Sequence, residues 1–138
     1  MKNKILAVLM TVSIALTICP EAKAEDQPTL IKGYATAYNG PSDYTYTGKP
    51  VHKGICGGCQ AYIGKTIILY QRLPGDEVGE ILGIYECLDT GEGTEGFQQG
   101  RVIDVYKPTL DKCQEFMDLI YTNNAHGKVW IQVIDAKG

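Results

Sequence analysis

The chain has 138 residues with 13 basic and 16 acidic side chains, and 44% of its residues are hydrophobic. This composition is typical of one packed globular domain, and it excludes a disordered or collagen-like chain and a second catalytic domain. Without the first 24 residues, ten basic and fifteen acidic residues remain. We therefore expect no nucleic-acid partner, because phosphate binding needs a concentrated surface of Lys and Arg.

The first 24 residues have the parts of a secretory signal peptide. Lys2 and Lys4 give a positive start, residues 5–18 form an apolar stretch, and small residues precede a cleavage site after Ala24. A membrane anchor is the weaker alternative, because a membrane span needs about 20 apolar residues. We predict cleavage after Ala24, a secreted or cell-envelope location, and no stable membrane anchor after cleavage. The rest of the chain, 25–138, forms the single domain.

Short segments rich in β-branched and aromatic residues predict five to six strands. The segments are residues 29–38, 66–71, 81–88, 101–106 and 128–134. A period of two places Tyr34, Thr36 and Tyr38 on one face of the first segment. Many short strands with a single helix predict a mainly β fold. We expect a small closed barrel, because closure removes the exposed edges of a small sheet.

One segment has a helical period. Its apolar residues recur at spacings of three and four, and Thr109 precedes it as a candidate N-cap. The apolar stripe consists of Leu110, Cys113, Phe116, Met117 and Ile120. We interpret this stripe as the side of one short helix that packs on the core.

Four cysteines follow the predicted signal peptide: Cys56, Cys59, Cys87 and Cys113. An even number of cysteines in an exported domain favours disulfides. Of the three possible pairings, we favour Cys56 with Cys59 and Cys87 with Cys113. The alternatives are a redox-active pair at Cys56 and Cys59, a zinc site, and free thiols. We predict no metal and no other cofactor.

Nucleophilic catalysis has little support in the sequence. Ser42 is the single serine after residue 24, and it lies in a turn-rich stretch without a predictable base nearby. His52 and His126 are the candidate partners for a catalytic cysteine, but both lie among turn residues. We interpret them as ordinary loop histidines.

Two carboxylates are more informative. Asp104 lies within an apolar strand and shares a face with Val102 and Tyr106. Burial raises the pKa of a carboxyl group, which suits a general acid near neutral pH. The alternative is that Asp104 pairs with Arg101 or accepts backbone hydrogen bonds. Asp89 directly follows another apolar strand and opens an acidic loop, which is alternatively a solvated turn or a weak calcium loop.

Four short motifs resemble the successive motifs of the three-aspartate (3D) domain. They are Ala-Thr-Ala-Tyr at 35–38, Thr-Gly-Lys-Pro at 47–50, Asp-Thr-Gly at 89–91 and Arg-Val-Ile-Asp-Val-Tyr at 101–106. The resemblance covers residues 33–135. It implies a six-stranded double-psi β-barrel, similar to the C-terminal domain of membrane-bound lytic transglycosylase A and to bacterial resuscitation and spore-cortex factors.

The same resemblance implies a function. The expected substrate is the glycan strand of peptidoglycan, and the expected activity is that of a lytic transglycosylase. By the motif match, Asp104 is the general acid and base, and Asp89 assists it in the same groove. The residues expected to contact the substrate are Tyr38, Thr47, Thr90 and Tyr106. The alternative, from a different class, is a non-catalytic module that binds the cell wall or another carbohydrate.

Overall fold

The computed structural model describes residues 28–40, 43–90, 95–122 and 125–135. Within these ranges the chain forms six strands and two α-helices. In chain order they are β1 (Leu30–Tyr38), β2 (Ile55–Gly58), β3 (Thr66–Leu73), β4 (Glu77–Thr90), α1 (Glu95–Gln98), β5 (Val102–Tyr106), α2 (Leu110–Tyr121) and β6 (Lys128–Ile134). The predicted signal peptide and Ser42 lie outside the described residues. Of the helices described, none has the length and apolar character needed to cross a membrane.

The six strands close into a barrel in the order β1-β5-β2-β4-β3-β6. Two neighbouring pairs, β1 with β5 and β2 with β4, are parallel, and the other pairs are antiparallel. The predicted mainly β fold with a closed six-stranded sheet is confirmed. The prediction of a single helix was wrong, because the described residues contain a second helix, α1. It was missed because four residues are too few to produce a recognisable period.

Alternating side chains of the strands fill the barrel. On β5, Ile103 and Val105 are fully buried, whereas the alternate residues Val102, Asp104 and Tyr106 are partly exposed. The other strands add fully buried residues at the same spacing, among them Ile67, Leu69, Val129 and Ile131. Each such side chain contributes roughly 1.5–3 kcal/mol through its burial. The predicted period of β5 is confirmed, and it leaves Asp104 on the outer face.

Helix α2 closes one side of the barrel. The Thr109 side chain accepts a hydrogen bond from the backbone N–H of Lys112 at 3.2 Å, so the predicted N-cap is confirmed. Phe116 and Ile120 are buried against the barrel. Leu110 is 74% exposed, which contradicts its predicted place in the core. It is the first helical residue, and the buried part of the stripe begins further along the helix.

Gly33 on β1 provides a test of the packing. A Cβ atom at this position would overlap the Arg101 carbonyl oxygen and Cδ1 of Ile131, both of which belong to the packed wall. We expect Gly33→Ala to lower the free energy of unfolding by about 1–3 kcal/mol, the usual cost of overpacking. Urea unfolding measures this loss.

Gly57→Ala is the matched control. Its Cβ would lie 3.6 Å from the nearest atoms of Asp89, which is ordinary contact. We expect a change below about 1 kcal/mol. Equal losses in the two variants would contradict the packing argument.

Candidate functional site

Four neighbouring strands place three polar residues and one glycine in a row across the outer face of the barrel. Asp104 on β5 is the parallel partner of Thr36 on β1 and the antiparallel partner of Gly57 on β2. Gly57 is in turn the parallel partner of Asp89 on β4. Since strands lie about 4.8 Å apart, the Cα atoms of the two acids are roughly 10 Å apart. We call Thr36, Asp104, Gly57 and Asp89 the acid row.

A β-bulge in β4 turns Asp89 towards this face. Cys87 pairs with Cys56, but the next residue of β2, Gly57, pairs with Asp89, so Leu88 is the extra residue. In a regular strand Asp89 would share the inner face with Cys87. The bulge instead leaves both Cys87 and Leu88 buried and Asp89 partly exposed. The two acids therefore lie on the same outer face of the sheet, with no side chain on Gly57 between them.

Asp104 is held in a partly buried position. Oγ1 of Thr36 donates a hydrogen bond to Oδ1 of Asp104 at 2.8 Å. Burial raises the pKa of Asp104; the Thr36 bond opposes this effect, and the charge of Asp89 adds to it. Arg101 donates to the side chain of Gln99, and among the described residues Asp104 takes part in no ion pair. The alternative pairing of Asp104 with Arg101 was therefore wrong.

Asp89 has three hydrogen-bond donors. The hydroxyl of Tyr38 donates to Oδ2 at 3.3 Å, and the backbone N–H groups of Tyr46 and Thr90 donate to Oδ1 at 3.2 and 3.1 Å. The pKa of Tyr38 is raised well above its usual value by burial and by the charges of Asp89 and Asp104. Tyr38 is therefore a neutral phenol at neutral pH, able to donate to Asp89.

Two of the residues expected to contact the substrate, Tyr38 and Tyr106, lie beside the acid row. Tyr38 and Tyr106 are partners in the β1–β5 register, and their rings meet edge to face at 5.6 Å. Tyr106 also lines a cavity of about 380 Å³ together with Lys53 and Lys107. One cavity wall is thus continuous with the strand that carries Asp104.

The two threonines expected to contact the substrate, Thr47 and Thr90, lie at the other end of the acid row, near Asp89. Thr90 lines a cavity of about 370 Å³ with Tyr46 and Phe97. The backbone N–H of Thr47 donates to the Leu88 carbonyl at 3.3 Å, and this bond holds the loop that supplies Tyr46. The hydroxyl of Thr47 lies 2.9 Å from that of Thr45. The loop that contains the Thr-Gly-Lys-Pro motif therefore packs against the bulge.

Sequence reasoning missed two members of the row. Thr36 shares a face with Tyr38 by the period of two, but the sequence does not reveal that this strand lies parallel to the one with Asp104. Gly57 lies in β2, a strand absent from the predicted set because glycine is a poor strand former. Gly57 contributes to the row because it has no side chain that would lie between the two acids.

The cysteines are thiols in the structure. Cys56 and Cys87 are fully buried, whereas Cys59 and Cys113 are partly exposed. The pairs expected from the sequence, Cys56 with Cys59 and Cys87 with Cys113, stay a prediction. Within the described residues, no group of three His, Cys, Asp or Glu side chains has the arrangement to hold a metal ion.

Comparison with known proteins identifies no family for this chain. No protein-family model matches the chain, and no curated protein shows detectable similarity to it.

The hydrogen bond from Thr36 gives a prediction about Asp104. Thr36→Val keeps a β-branched side chain but removes the donor to the carboxylate. We expect the pKa of Asp104 to rise further, because the bond lost is one that lowers it. Carbon-detected NMR titration of the carboxyl groups measures this change. Thr36→Ser retains the hydroxyl and should stay close to wild type; an unchanged or lower pKa in Thr36→Val would contradict the role of the bond.

The raised pKa of Asp104 also predicts how stability varies with pH. A carboxyl group whose pKa is higher in the folded state stabilises the fold fully below its unfolded pKa, and this contribution is lost as the pH rises through the folded value. Asp104→Asn remains neutral, so its free energy of unfolding should decline less than that of wild type over this interval. Urea unfolding at a series of pH values measures the difference. Asp135→Asn, at a side chain that is 85% exposed, is the control, and identical profiles for wild type and Asp104→Asn would rule out the effect.

Proposed function

We propose that the protein is a lytic transglycosylase-like enzyme that cleaves glycan strands of peptidoglycan, with Asp104 as general acid and base and Asp89 assisting. The observation that carries the proposal is the acid row. A carboxyl group with a raised pKa faces a second acid across a glycine, on a face bordered by tyrosines and two cavities. This combination is what a proton-transfer site for a polymeric substrate requires.

The fold assignment within this proposal is a 3D-type double-psi β-barrel. The closed ring of six strands with two parallel pairs supports it, as does the clustering of three of the four motifs around the acid row. Strand β2 carries no acid, so the row has two carboxyl groups. A transglycosylase that uses one acid in two steps needs no third carboxyl group.

The proposed reaction uses Asp104 twice. The neutral carboxyl group donates its proton to the oxygen that bridges N-acetylmuramic acid to the next sugar, and the bond from C1 to that oxygen breaks. The resulting carboxylate then accepts the proton of the muramyl C6 hydroxyl as its oxygen attacks C1. The products are a free hydroxyl on the leaving sugar and a 1,6-anhydro end, and Asp104 regains its proton without consuming water.

Asp89 assists through its charge. It raises the pKa of Asp104, which keeps the acid form available. Its fixed negative charge also favours the positive charge that develops on the sugar ring in the transition state. The three donors to Asp89 hold it in position while Asp104 exchanges its proton.

Exposed aromatic rings supply surfaces for sugar binding. Tyr44 and Tyr46 are 62% and 60% exposed, and the Tyr46 backbone contacts Asp89 directly. The apolar face of a pyranose packs well on such rings. The exposed rings also favour the second candidate, a binding module without catalysis. Digestion of purified cell walls distinguishes this module from the enzyme. In both cases we propose export by the signal peptide at residues 1–24.

The test is digestion of purified cell walls. We expect wild-type protein to release soluble fragments whose mass matches 1,6-anhydro ends, which are lighter by one water than the products of hydrolysis. Asp104→Asn should lower the rate by about 100-fold or more, because general acid catalysis contributes 10²–10⁴-fold. Asp89→Asn should lower it less, and Asp135→Asn should retain wild-type activity. Mass spectrometry of the fragments and loss of turbidity measure these rates.

Three outcomes would contradict the proposal. Fragments with hydrolysed ends would exclude transglycosylation, and equal rates for wild type and Asp104→Asn would exclude Asp104. Binding of wild-type protein to insoluble walls without any fragments would instead support the binding module. Circular dichroism of each variant verifies that it is folded.

A further inference from the structure

Two cysteines face each other inside the barrel, behind the acid row. Cys56 on β2 and Cys87 on β4 are direct partners in a parallel register, and both are fully buried. A side-chain hydrogen bond with Cys87 raises the pKa of the Cys56 thiol, and burial raises it further. Because the two residues are paired and fully buried, their sulfur atoms lie on neighbouring strands inside the barrel.

The strand pairing of Cys56 with Cys87 is compatible with the Cα separation of a disulfide. Neighbouring strands lie about 4.8 Å apart, and disulfides join Cα atoms that are about 4.4–6.8 Å apart. Both side chains point to the inner face, since both are buried at the same level of the barrel. At Gly58 a Cβ atom would lie 3.4 Å from Sγ of Cys87, so the glycine leaves room for this sulfur beside β2.

The other two cysteines have different surroundings. Cys59 follows the end of β2 and lines the cavity that also includes Tyr46 and Thr90. Cys113 lies on α2 within electrostatic reach of Lys107 and Asp104. The register thus gives Cys87 a partner other than Cys113, and it gives Cys56 a partner other than Cys59.

We propose that Cys56 and Cys87 form a disulfide that links β2 to β4 when the protein folds in the presence of a disulfide oxidant. The thiolate of one cysteine attacks a sulfur of the oxidant and releases one thiol. The thiolate of the second cysteine attacks the mixed disulfide and releases the other thiol. Two protons and two electrons leave the cysteines, and the oxidant is reduced to two thiols. The link forms before the barrel closes, because closure seals both sulfur atoms.

The bond would hold the backbone under the acid row. Cys56 directly precedes Gly57, and Cys87 lies two residues before Asp89, with the bulge at Leu88 between them. A covalent link at this level fixes the register that places Asp89 opposite Gly57. This inference does not depend on the proposed enzymatic activity.

Peptide mapping tests the link. The full chain is reduced and unfolded, refolded with reduced and oxidised glutathione, alkylated in denaturant and cleaved with trypsin without reduction. Cleavage after Lys53, Lys65, Arg72, Arg101 and Lys112 separates Cys87 from Cys113 and from the peptide that carries both Cys56 and Cys59. We expect peptide 54–65 joined to peptide 73–101, with one alkylated cysteine in the former and with Cys19 and Cys113 alkylated.

Matched variants identify the residues. Cys59→Ser and Cys113→Ser should retain the joined peptides, whereas Cys56→Ser should lose them. A link within 54–65, a link from 73–101 to the peptide with Cys113, or alkylation of all the cysteines would overturn the proposal.

Thermal unfolding gives an independent readout. The oxidised protein should unfold at least about 5 °C above the reduced protein, since a disulfide that closes a long loop restricts the unfolded chain. The double variant Cys56→Ala, Cys87→Ala should show no such difference between oxidising and reducing conditions. Equal midpoints for oxidised and reduced wild type would overturn the proposal.

Discussion

The register of β2 between β4 and β5 is the constraint on which the acid row depends. Gly57 pairs with Asp104 on one side and with Asp89 on the other, so one residue of a four-residue strand aligns both acids. Side chains alternate along a strand, and a slip of one residue would turn one acid towards the core. The bulge at Leu88 is the exception that this alignment requires, because without it Asp89 would be buried beside Cys87.

The two acids of the row differ in how the protein holds them. Asp104 accepts one hydrogen bond from a side chain and is partly buried, and its pKa is raised. Asp89 accepts three hydrogen bonds, two of them from backbone N–H groups. A carboxyl group with few donors can gain and lose a proton at small structural cost, whereas one with three donors is fixed in orientation. This difference supports the proposal that Asp104 transfers the proton and that Asp89 acts through its charge.

Local sequence patterns predicted much of the fold but little of the site's geometry. The alternation in residues 101–106 separated Asp104 from the face of Ile103 and Val105, and Thr109 marked the start of α2, since both signals arise within a few residues. The pairings of Thr36 with Asp104 and of Gly57 with Asp89 join residues far apart in the chain, and no local pattern encodes them. Strand β2 was missed for a related reason: its strand conformation is imposed by two neighbouring strands, against the preference of its glycines.

The segment Cys56-Gly57-Gly58-Cys59 has the spacing of a redox motif but a different structural role in this fold. In a redox motif of this spacing, the low pKa of the first thiol comes from the N-terminus of a helix. Here the first cysteine lies in a strand, where burial and Cys87 raise its pKa, so it lacks the property that such chemistry needs. The two glycines instead act on opposite faces of β2. Gly57 puts no side chain between Asp104 and Asp89 on the outer face, and Gly58 gives the Cys87 sulfur its place in the core. A larger residue at position 57 would therefore meet Asp89 on the outer face, whereas a larger residue at position 58 would meet Ile103 and the Cys87 sulfur in the barrel interior.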